Sequence, residues 1–144
     1  MATLDSSPKH ILVINDTVAI LDLFRTLLEE EGYRVSTDDF SIDMLSMLDR
    51  VKTDRPDLIV LDFIVVDEGK GWQFLQMLKM DRATRDIPVV VCTAAAKLVE
   101  ALQAHLDVMG VGVVLKPFDI DVVLAEIDRK LTLPDPGQGA PSAT

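Results

Sequence analysis

Short apolar runs alternate along this chain with longer segments of helical period. The runs are four or five residues long and mostly β-branched, at residues 10–14, 33–36, 58–61, 89–92 and 111–115. Strands that are covered by helices on both faces of a parallel sheet have this composition. The pattern therefore predicts five buried parallel strands.

The segments between the runs carry apolar side chains at helical spacing. The first stripe is followed by Gly32, which we expect to cap the helix. The stripes contain Ile20, Phe24, Leu27 and Leu28, then Met44, Met47, Leu48 and Val51, then Leu98, Leu102 and Leu106, and finally Ile120, Val123, Leu124, Ile127 and Leu131; the segment 72–80 has a broader apolar face. Alternating strands and helices predict a single α/β domain, a doubly wound five-stranded parallel sheet with right-handed crossovers.

Composition fits one globular domain. The chain has 144 residues, 49% hydrophobic and 26% charged. We divide it into an N-terminal extension at 1–8, the domain at 9–132 and a flexible tail rich in proline and glycine at 133–144. No apolar stretch approaches the ~20 residues that span a membrane, and the first residues do not look like a signal peptide. We therefore expect a cytoplasmic protein without a membrane partner, and the single Cys92 fits a reducing compartment.

The net charge of −10 bears on partners. An acidic surface repels phosphate backbones, and the sequence contains no run of lysine and arginine that would offset this repulsion. We therefore expect no direct binding to nucleic acid.

Polar side chains follow four of the predicted strands. Asn15 and Asp16 follow the first strand, Asp62 the third, Thr93 the fourth and Lys116 the fifth. The carboxyl ends of parallel strands meet at one edge of the sheet, where such folds bind their ligands. We therefore expect these side chains to lie close together.

These residue types suit phosphoryl transfer. Two carboxylates, Asp16 and Asp62, favour Mg²⁺, and an ionised Asp62 can attack phosphorus to form an acyl phosphate. The Lys116 ammonium and the Thr93 hydroxyl can stabilise the oxygens of the transferred group. Each residue alone is more often a cap, a loop residue or a solvated side chain, but complementary groups from four strands favour a site.

The chain resembles the receiver domain of response regulators over roughly residues 9–132. Four segments carry the resemblance: 10–16 (HILVIND), 56–62 (PDLIVLD), 86–95 (DIPVVVCTAA) and 115–118 (LKPF). It implies a flavodoxin-like fold with strand order 2-1-3-4-5. It also implies Mg²⁺-dependent phosphoryl transfer from a histidine kinase or a phosphotransfer protein, which makes the chain a signalling switch and not a turnover enzyme.

The resemblance also assigns roles by motif position. Asp62 matches the phosphoacceptor, Asp16 a metal ligand, and Thr93 and Lys116 the groups that bind the phosphate. The backbone carbonyl of Ile64 would be a further metal ligand. The family also implies that the Lys116–Pro117 peptide is cis, that the kinase docks near the first helix, and that an unknown downstream protein reads the fourth helix, fifth strand and fifth helix, where Leu98, Leu102, Val113 and Val122 are candidate contacts.

The departures from the family pattern include four positions of this sequence. Asn15 replaces an acidic residue, so we predict weakened Mg²⁺ binding, with the amide acting through a water molecule. Val113 stands at the switch position, where the family usually carries an aromatic residue, so the signal would have to pass without a ring movement. Ile64 and Ala95 are apolar where side chains influence water attack, so we expect a slowly hydrolysing acyl phosphate.

The sequence is also compatible with other functions. A degenerate receiver that acts as a phosphate-independent interaction module is the main alternative, and Asn15 and Val113 motivate it. An aspartyl phosphatase would need a second aspartate where Ile64 stands, and a flavin protein would need a polar phosphate-binding loop after the first strand. Neither His10 nor His105 has a second ligand at helical spacing, so we predict that both are surface histidines.

Overall fold

A computed structural model describes residues 8–39, 41–62 and 68–132, and the structural statements below concern those residues. Five strands alternate with five helices. Their bounds are β1 His10–Ile14, α1 Val18–Glu30, β2 Arg34–Asp38, α2 Met44–Asp54, β3 Leu58–Asp62, α3 Glu68–Met80, β4 Val89–Thr93, α4 Ala96–Val108, β5 Val111–Leu115 and α5 Ile120–Thr132.

The strands form one parallel sheet in the order β2-β1-β3-β4-β5. In the register of β1 with its neighbours, Ile11 pairs with Val35 on one side and Leu58 on the other. This is the order that the family resemblance implied, and the predicted fold class is confirmed. The order reverses direction between β1 and β3, and ligands of such sheets bind where this reversal occurs.

Side chains that alternate along each strand divide the core into two layers. Leu12 and Ile14 point toward α2, α3 and α4, where they pack with Met47 and Phe74. Ile11 and its neighbours on the opposite face pack against α1 and α5. Four strands, β1, β3, β4 and β5, have buried apolar side chains on both faces, which explains their continuous apolar sequences.

The C-terminal end of α1 confirms the cap predicted at Gly32. Gly32 has a φ of 94°, and its N–H donates to the Glu29 carbonyl while the Tyr33 N–H donates to the Leu28 carbonyl. These two bonds form a Schellman motif, which needs a left-handed residue at this position. The predicted start of β2 at Tyr33 is wrong, because Tyr33 belongs to this cap.

Strand β2 instead runs from Arg34 to Asp38, further than the apolar run suggested. Its polar end still pairs with β1, since Thr37 lies opposite Val13 and Asp38 opposite Ile14. Strands β3 and β4 each extend one residue beyond the prediction and include Asp62 and Thr93. The two functional candidates are therefore held by strand geometry.

Two burial predictions need correction and one is confirmed. Helix α4 buries Val99 and Leu106, whereas Leu98 of the predicted stripe is 42% exposed. His10 was predicted at the surface but is only 4% exposed, because it begins the inner strand β1 beside Arg34 and its ring contacts the Ser36 hydroxyl. His105 is exposed as predicted. The Cys92 thiol is fully buried.

Among the described residues, no helix combines the length and the apolar character that crossing a membrane requires. Residues 1–7 of the predicted extension, Phe40, the segment 63–67 and the predicted tail at 133–144 lie outside those residues.

Candidate phosphoacceptor site

The carboxyl ends of β1, β3, β4 and β5 bring the candidate residues to one edge. The Asn15 N–H donates to the Asp38 carbonyl over 3.0 Å, so Asn15 continues the β1–β2 ladder by one residue. The Lys116 N–H donates to the Thr93 carbonyl over 2.8 Å and does the same between β5 and β4. Backbone hydrogen bonds therefore fix where Asn15, Thr93 and Lys116 leave the sheet.

Asp62 lies at the centre of this edge and is 4% exposed. Its Oδ1 atom lies 2.7 Å from the Lys116 ammonium nitrogen, and its Oδ2 atom accepts a hydrogen bond of 2.7 Å from the Asn15 amide. Burial raises the pKa of Asp62, the Lys116 and Asn15 contacts lower it, and the Asp16 carboxylate raises it. The carboxylate is thus buried, but each of its oxygens faces a donor.

Asn15 is held more tightly than the sequence indicated. It is 3% exposed, and its Oδ1 atom accepts a hydrogen bond of 2.6 Å from the Thr17 N–H. Its Nδ2 group is then directed at Asp62. The predicted role of Asn15 beside a metal-bound water did not include this direct bond. The sequence placed Asn15 and Asp62 at neighbouring strand ends, but the bond also requires the amide orientation that the Thr17 N–H sets.

Asp16 differs from Asp62 in being exposed to solvent. Its carboxylate accepts a hydrogen bond of 3.2 Å from the Thr17 hydroxyl. The charge of the Asp16 carboxylate acts on Asp62 and contributes to raising the pKa of Asp62. The edge thus combines one buried and one exposed carboxylate.

Thr93 ends β4 and is completely buried. Its hydroxyl oxygen accepts a hydrogen bond of 3.0 Å from the Ala95 N–H, and its carbonyl accepts the Lys116 N–H. The Ala96 N–H donates to the Ala94 carbonyl, which closes a tight turn before α4. Thr93 therefore connects the site both to the start of α4 and to the end of β5.

The remaining candidates divide between described and undescribed residues. The Lys116–Pro117 peptide is cis, as the resemblance implied. Val113 is half-buried and packs on the face of the sheet that α2, α3 and α4 cover. Ile64, the proposed carbonyl ligand, lies outside the described residues.

A doubly wound sheet with a carboxylate between an ammonium and an amide at its carboxyl edge defines a flavodoxin-like protein with an anionic site at the switch point. The model of the family described as "Response regulator receiver domain" matches residues 11–128. The chain belongs to this family, the receiver domains of two-component signalling.

Solved structures share this fold. The N-terminal domain of a response regulator receiver protein from Methanoculleus marisnigri is 30% identical, with a TM-score of 0.60 over 87% of this chain and 98% of that one. The receiver domain of a Pseudomonas aeruginosa sensor histidine kinase is 20% identical, with a TM-score of 0.66 over 88% and 99%. That structure holds a magnesium ion coordinated in its active-site cleft.

Curated relatives are longer proteins. The phosphate regulon transcriptional regulatory protein PhoB of Klebsiella pneumoniae is 32% identical over 120 residues, which cover 83% of this chain and 50% of that protein. The chain spans about half the length of the curated relatives it matches. The expectation of no contact with nucleic acid is therefore not supported, because that relative is a transcriptional regulator and the acidity of this chain describes only the part that the two share.

Proposed function

We propose that this chain is a signalling switch that accepts a phosphoryl group on Asp62 from a histidine kinase or a phosphotransfer protein. A carboxylate oxygen of Asp62 would attack phosphorus, the O–P bond would form as the N–P bond to the donor imidazole breaks, and that imidazole would leave with a proton. The observation that carries this proposal is the buried Asp62 carboxylate 2.7 Å from the Lys116 ammonium. Lys116 can then bind a phosphoryl oxygen without moving far.

The donor set fits Mg²⁺ through Asp62 and Asp16. Within the described ranges, no three Asp, Glu, His or Cys side chains group as a metal site, but Mg²⁺ commonly uses one or two carboxylates with water and phosphate oxygens. Bound Mg²⁺ would neutralise charge on the transferred group. Asn15 would contribute through a water molecule, and the Ile64 carbonyl is a candidate ligand from the segment outside the described residues.

Thr93 is the group that would report phosphorylation to the rest of the fold. In the unphosphorylated site its hydroxyl oxygen accepts the Ala95 N–H just before α4. A hydroxyl that turns to donate to a phosphoryl oxygen would alter that turn, and with it the first residues of α4. The partner surface would include Leu98 and Val122, which are 42% and 50% exposed, with the half-buried Leu102 and Val113 behind them.

We also propose that the acyl phosphate hydrolyses slowly and that the chain is not a turnover enzyme. Ala95 offers no polar group near Thr93 that could orient an attacking water molecule, and the side chain of Ile64 offers none either. Hydrolysis of the acyl phosphate then depends on a water molecule that no side chain at these two positions activates. Loss of the label within seconds in the isolated protein would contradict this part of the proposal.

The test is phosphorylation with acetyl phosphate and Mg²⁺, followed by intact-mass measurement. The wild type should gain one phosphoryl group and Asp62→Asn none. Asp57→Asn is the matched control, because Asp57 lies just before β3 and its carboxylate accepts the His10 N–H at the opposite edge of the sheet. It should label like the wild type.

Two outcomes would contradict the proposal. Equal labelling of the wild type and Asp62→Asn would show that Asp62 is not the acceptor. No labelling from acetyl phosphate or from a phosphorylated phosphotransfer protein would favour the phosphate-independent interaction module.

A further inference from the structure

The amide of Asn15 is oriented by two separate hydrogen bonds. Its oxygen accepts from the Thr17 N–H over 2.6 Å, and its nitrogen donates to Asp62 Oδ2 over 2.7 Å. The reversed amide would place its NH₂ group against the Thr17 N–H and its oxygen against a carboxylate, which loses both bonds. The orientation is therefore fixed by the chemistry on its two sides.

The backbone of Asn15 is equally fixed. Its N–H donates to the Asp38 carbonyl over 3.0 Å, and the residue is 3% exposed. A buried side chain with this attachment cannot swing into water and leave Asp62. The Asn15 amide is therefore a built-in hydrogen-bond donor to one carboxylate oxygen of Asp62, while Lys116 forms an ion pair with the other.

We propose that Asn15 is a positioning residue that holds the unphosphorylated Asp62 carboxylate in place without a divalent cation. This role of Asn15 rests on the proposed function only in taking Asp62 as the phosphoacceptor. An aspartate at position 15 would keep the Thr17 contact through one oxygen and turn the other toward Asp62 Oδ2. Two carboxylates at that separation repel each other until a cation lies between them. Asn15 thus lowers the affinity of the site for Mg²⁺, but it keeps the site assembled when no Mg²⁺ is bound.

The chain contains a matched pair in an exposed setting. The Gln103 amide donates to Asp107 over 2.9 Å on the solvent side of α4. Gln103→Glu makes the same amide-to-carboxylate change next to an aspartate, but water screens the two charges. It controls for the added charge itself.

The experiment measures thermal unfolding in EDTA and across a Mg²⁺ titration for the wild type, Asn15→Asp, Asp62→Asn, the double variant and Gln103→Glu. In EDTA, Asn15→Asp should lower Tm by roughly 5 °C, which is the size of shift expected when one hydrogen bond is lost from a domain of this length. The shift should nearly vanish on the Asp62→Asn background, and Gln103→Glu should change Tm little. Mg²⁺ should raise the Tm of Asn15→Asp at concentrations at least ~10-fold lower than it does for the wild type.

Two results would overturn the proposal. One is an unchanged Tm for Asn15→Asp in EDTA. The other is a loss of the same size with Asp62→Asn, which would assign the effect to the Thr17 contact alone. If Asn15→Asp does not fold under any condition, the NMR signals of the Asn15 side-chain NH₂ in otherwise unaltered protein decide. They should be protected from exchange in the wild type and lose that protection in Asp62→Ala, and equal protection in both proteins would overturn the proposal.

The outcome is distinct from that of the labelling test. Labelling on Asp62 without coupling between residues 15 and 62 would overturn the role of Asn15 and leave the proposed function standing. Coupling without labelling would do the reverse.

Discussion

The two edges of the sheet hold charged groups in opposite ways. At the carboxyl edge, Asp62 faces other side chains, the Lys116 ammonium and the Asn15 amide. At the amino edge, the charged groups bind backbone instead. The Asp57 carboxylate accepts the His10 N–H over 2.7 Å, and the Lys79 ammonium donates to the Arg85 and Ile87 carbonyls over 3.0 and 2.8 Å.

The difference separates a reactive site from a structural one. A charge that binds backbone groups closes the open ends of strands and loops, and those bonds cannot be exchanged without disturbing the fold. A charge held by other side chains can change partners when a phosphoryl group or a cation arrives. Both edges carry charged side chains, but only the carboxyl edge buries a carboxylate among side chains that can exchange partners.

Loss of Lys116 should have the largest effect. Lys116→Met leaves the buried Asp62 carboxylate without its cation, so we expect the free energy of unfolding at pH 7 to fall by about 2–3 kcal/mol, in the range for a broken buried pair after allowance for the partial exposure of Lys116. Urea denaturation measures this loss. The double variant with Asp62→Asn should recover most of it, because no charge is then left unpaired.

The surface pair Lys52–Asp81 is the control for this prediction. Its nitrogen-to-oxygen distance of 2.8 Å is close to that of Lys116–Asp62, but the side chains are 37% and 24% exposed. Lys52→Met should cost much less than Lys116→Met, because solvent screens an exposed ion pair. An equal loss in Lys52→Met and Lys116→Met would mean that burial does not distinguish the site.

Lys79 tests the amino edge with an effect of intermediate size. Burial lowers the pKa of Lys79 from 10.5 to about 8, against the attraction of Asp86. Between pH 8 and 10.5 the unfolded chain binds this proton and the folded protein does not, so the free energy of unfolding contributed by Lys79 rises with pH. The stability of the wild type relative to Lys79→Met should increase by about 1–3 kcal/mol across this window.

Lys52 supplies the contrast for the Lys79 measurement as well. The hydrogen bond to Asp81 raises the pKa of Lys52, so its contribution is present below pH 10.5 and is lost above it. The stability of the wild type relative to Lys52→Met should therefore not increase between pH 8 and 10. A constant difference between the wild type and Lys79→Met over that range would show that the Lys79 amine titrates as it does in the unfolded chain.

Sequence patterns predicted the frame of the fold well and its polar contacts less well. Period and β-branched composition identified β1 and β5 to the residue, because hydrophobic burial on both faces leaves a direct mark on sequence. The end of β2 was missed, because Thr37 and Asp38 pair with β1 through their backbone and their polar side chains give no sign of a strand in the sequence.

The site shows the same division. The parallel arrangement of the strands predicted that Asn15, Asp62, Thr93 and Lys116 meet at the carboxyl edge, and the structure places them there. The direct Asn15–Asp62 bond could not be predicted, because it depends on which way the amide turns, and the Thr17 N–H decides that. The sequence therefore predicts which residues lie near one another, whereas the hydrogen-bond partners of their side chains depend on local geometry.

His10 should give the smallest effect, and it tests whether the amino edge is purely structural. Burial lowers the pKa of His10, as does the charge of Arg34, while Asp54 and Asp57 raise it. Among the described residues, its Nδ1 atom has no hydrogen-bond partner, so a proton on Nδ1 would form no stabilising hydrogen bond in the folded protein. The folded protein therefore resists protonation, and stability falls as pH drops below 6.5.

Urea midpoints at pH 7.5 and pH 5.5 measure this effect. His10→Gln should lose less stability than the wild type on acidification, by about 1 kcal/mol or less. His105→Gln, which removes an exposed histidine from α4, is the matched control. If His10→Gln is as acid-sensitive as the wild type, the proton reaches His10 without cost, and the amino edge must then be able to exchange its partners as the carboxyl edge does.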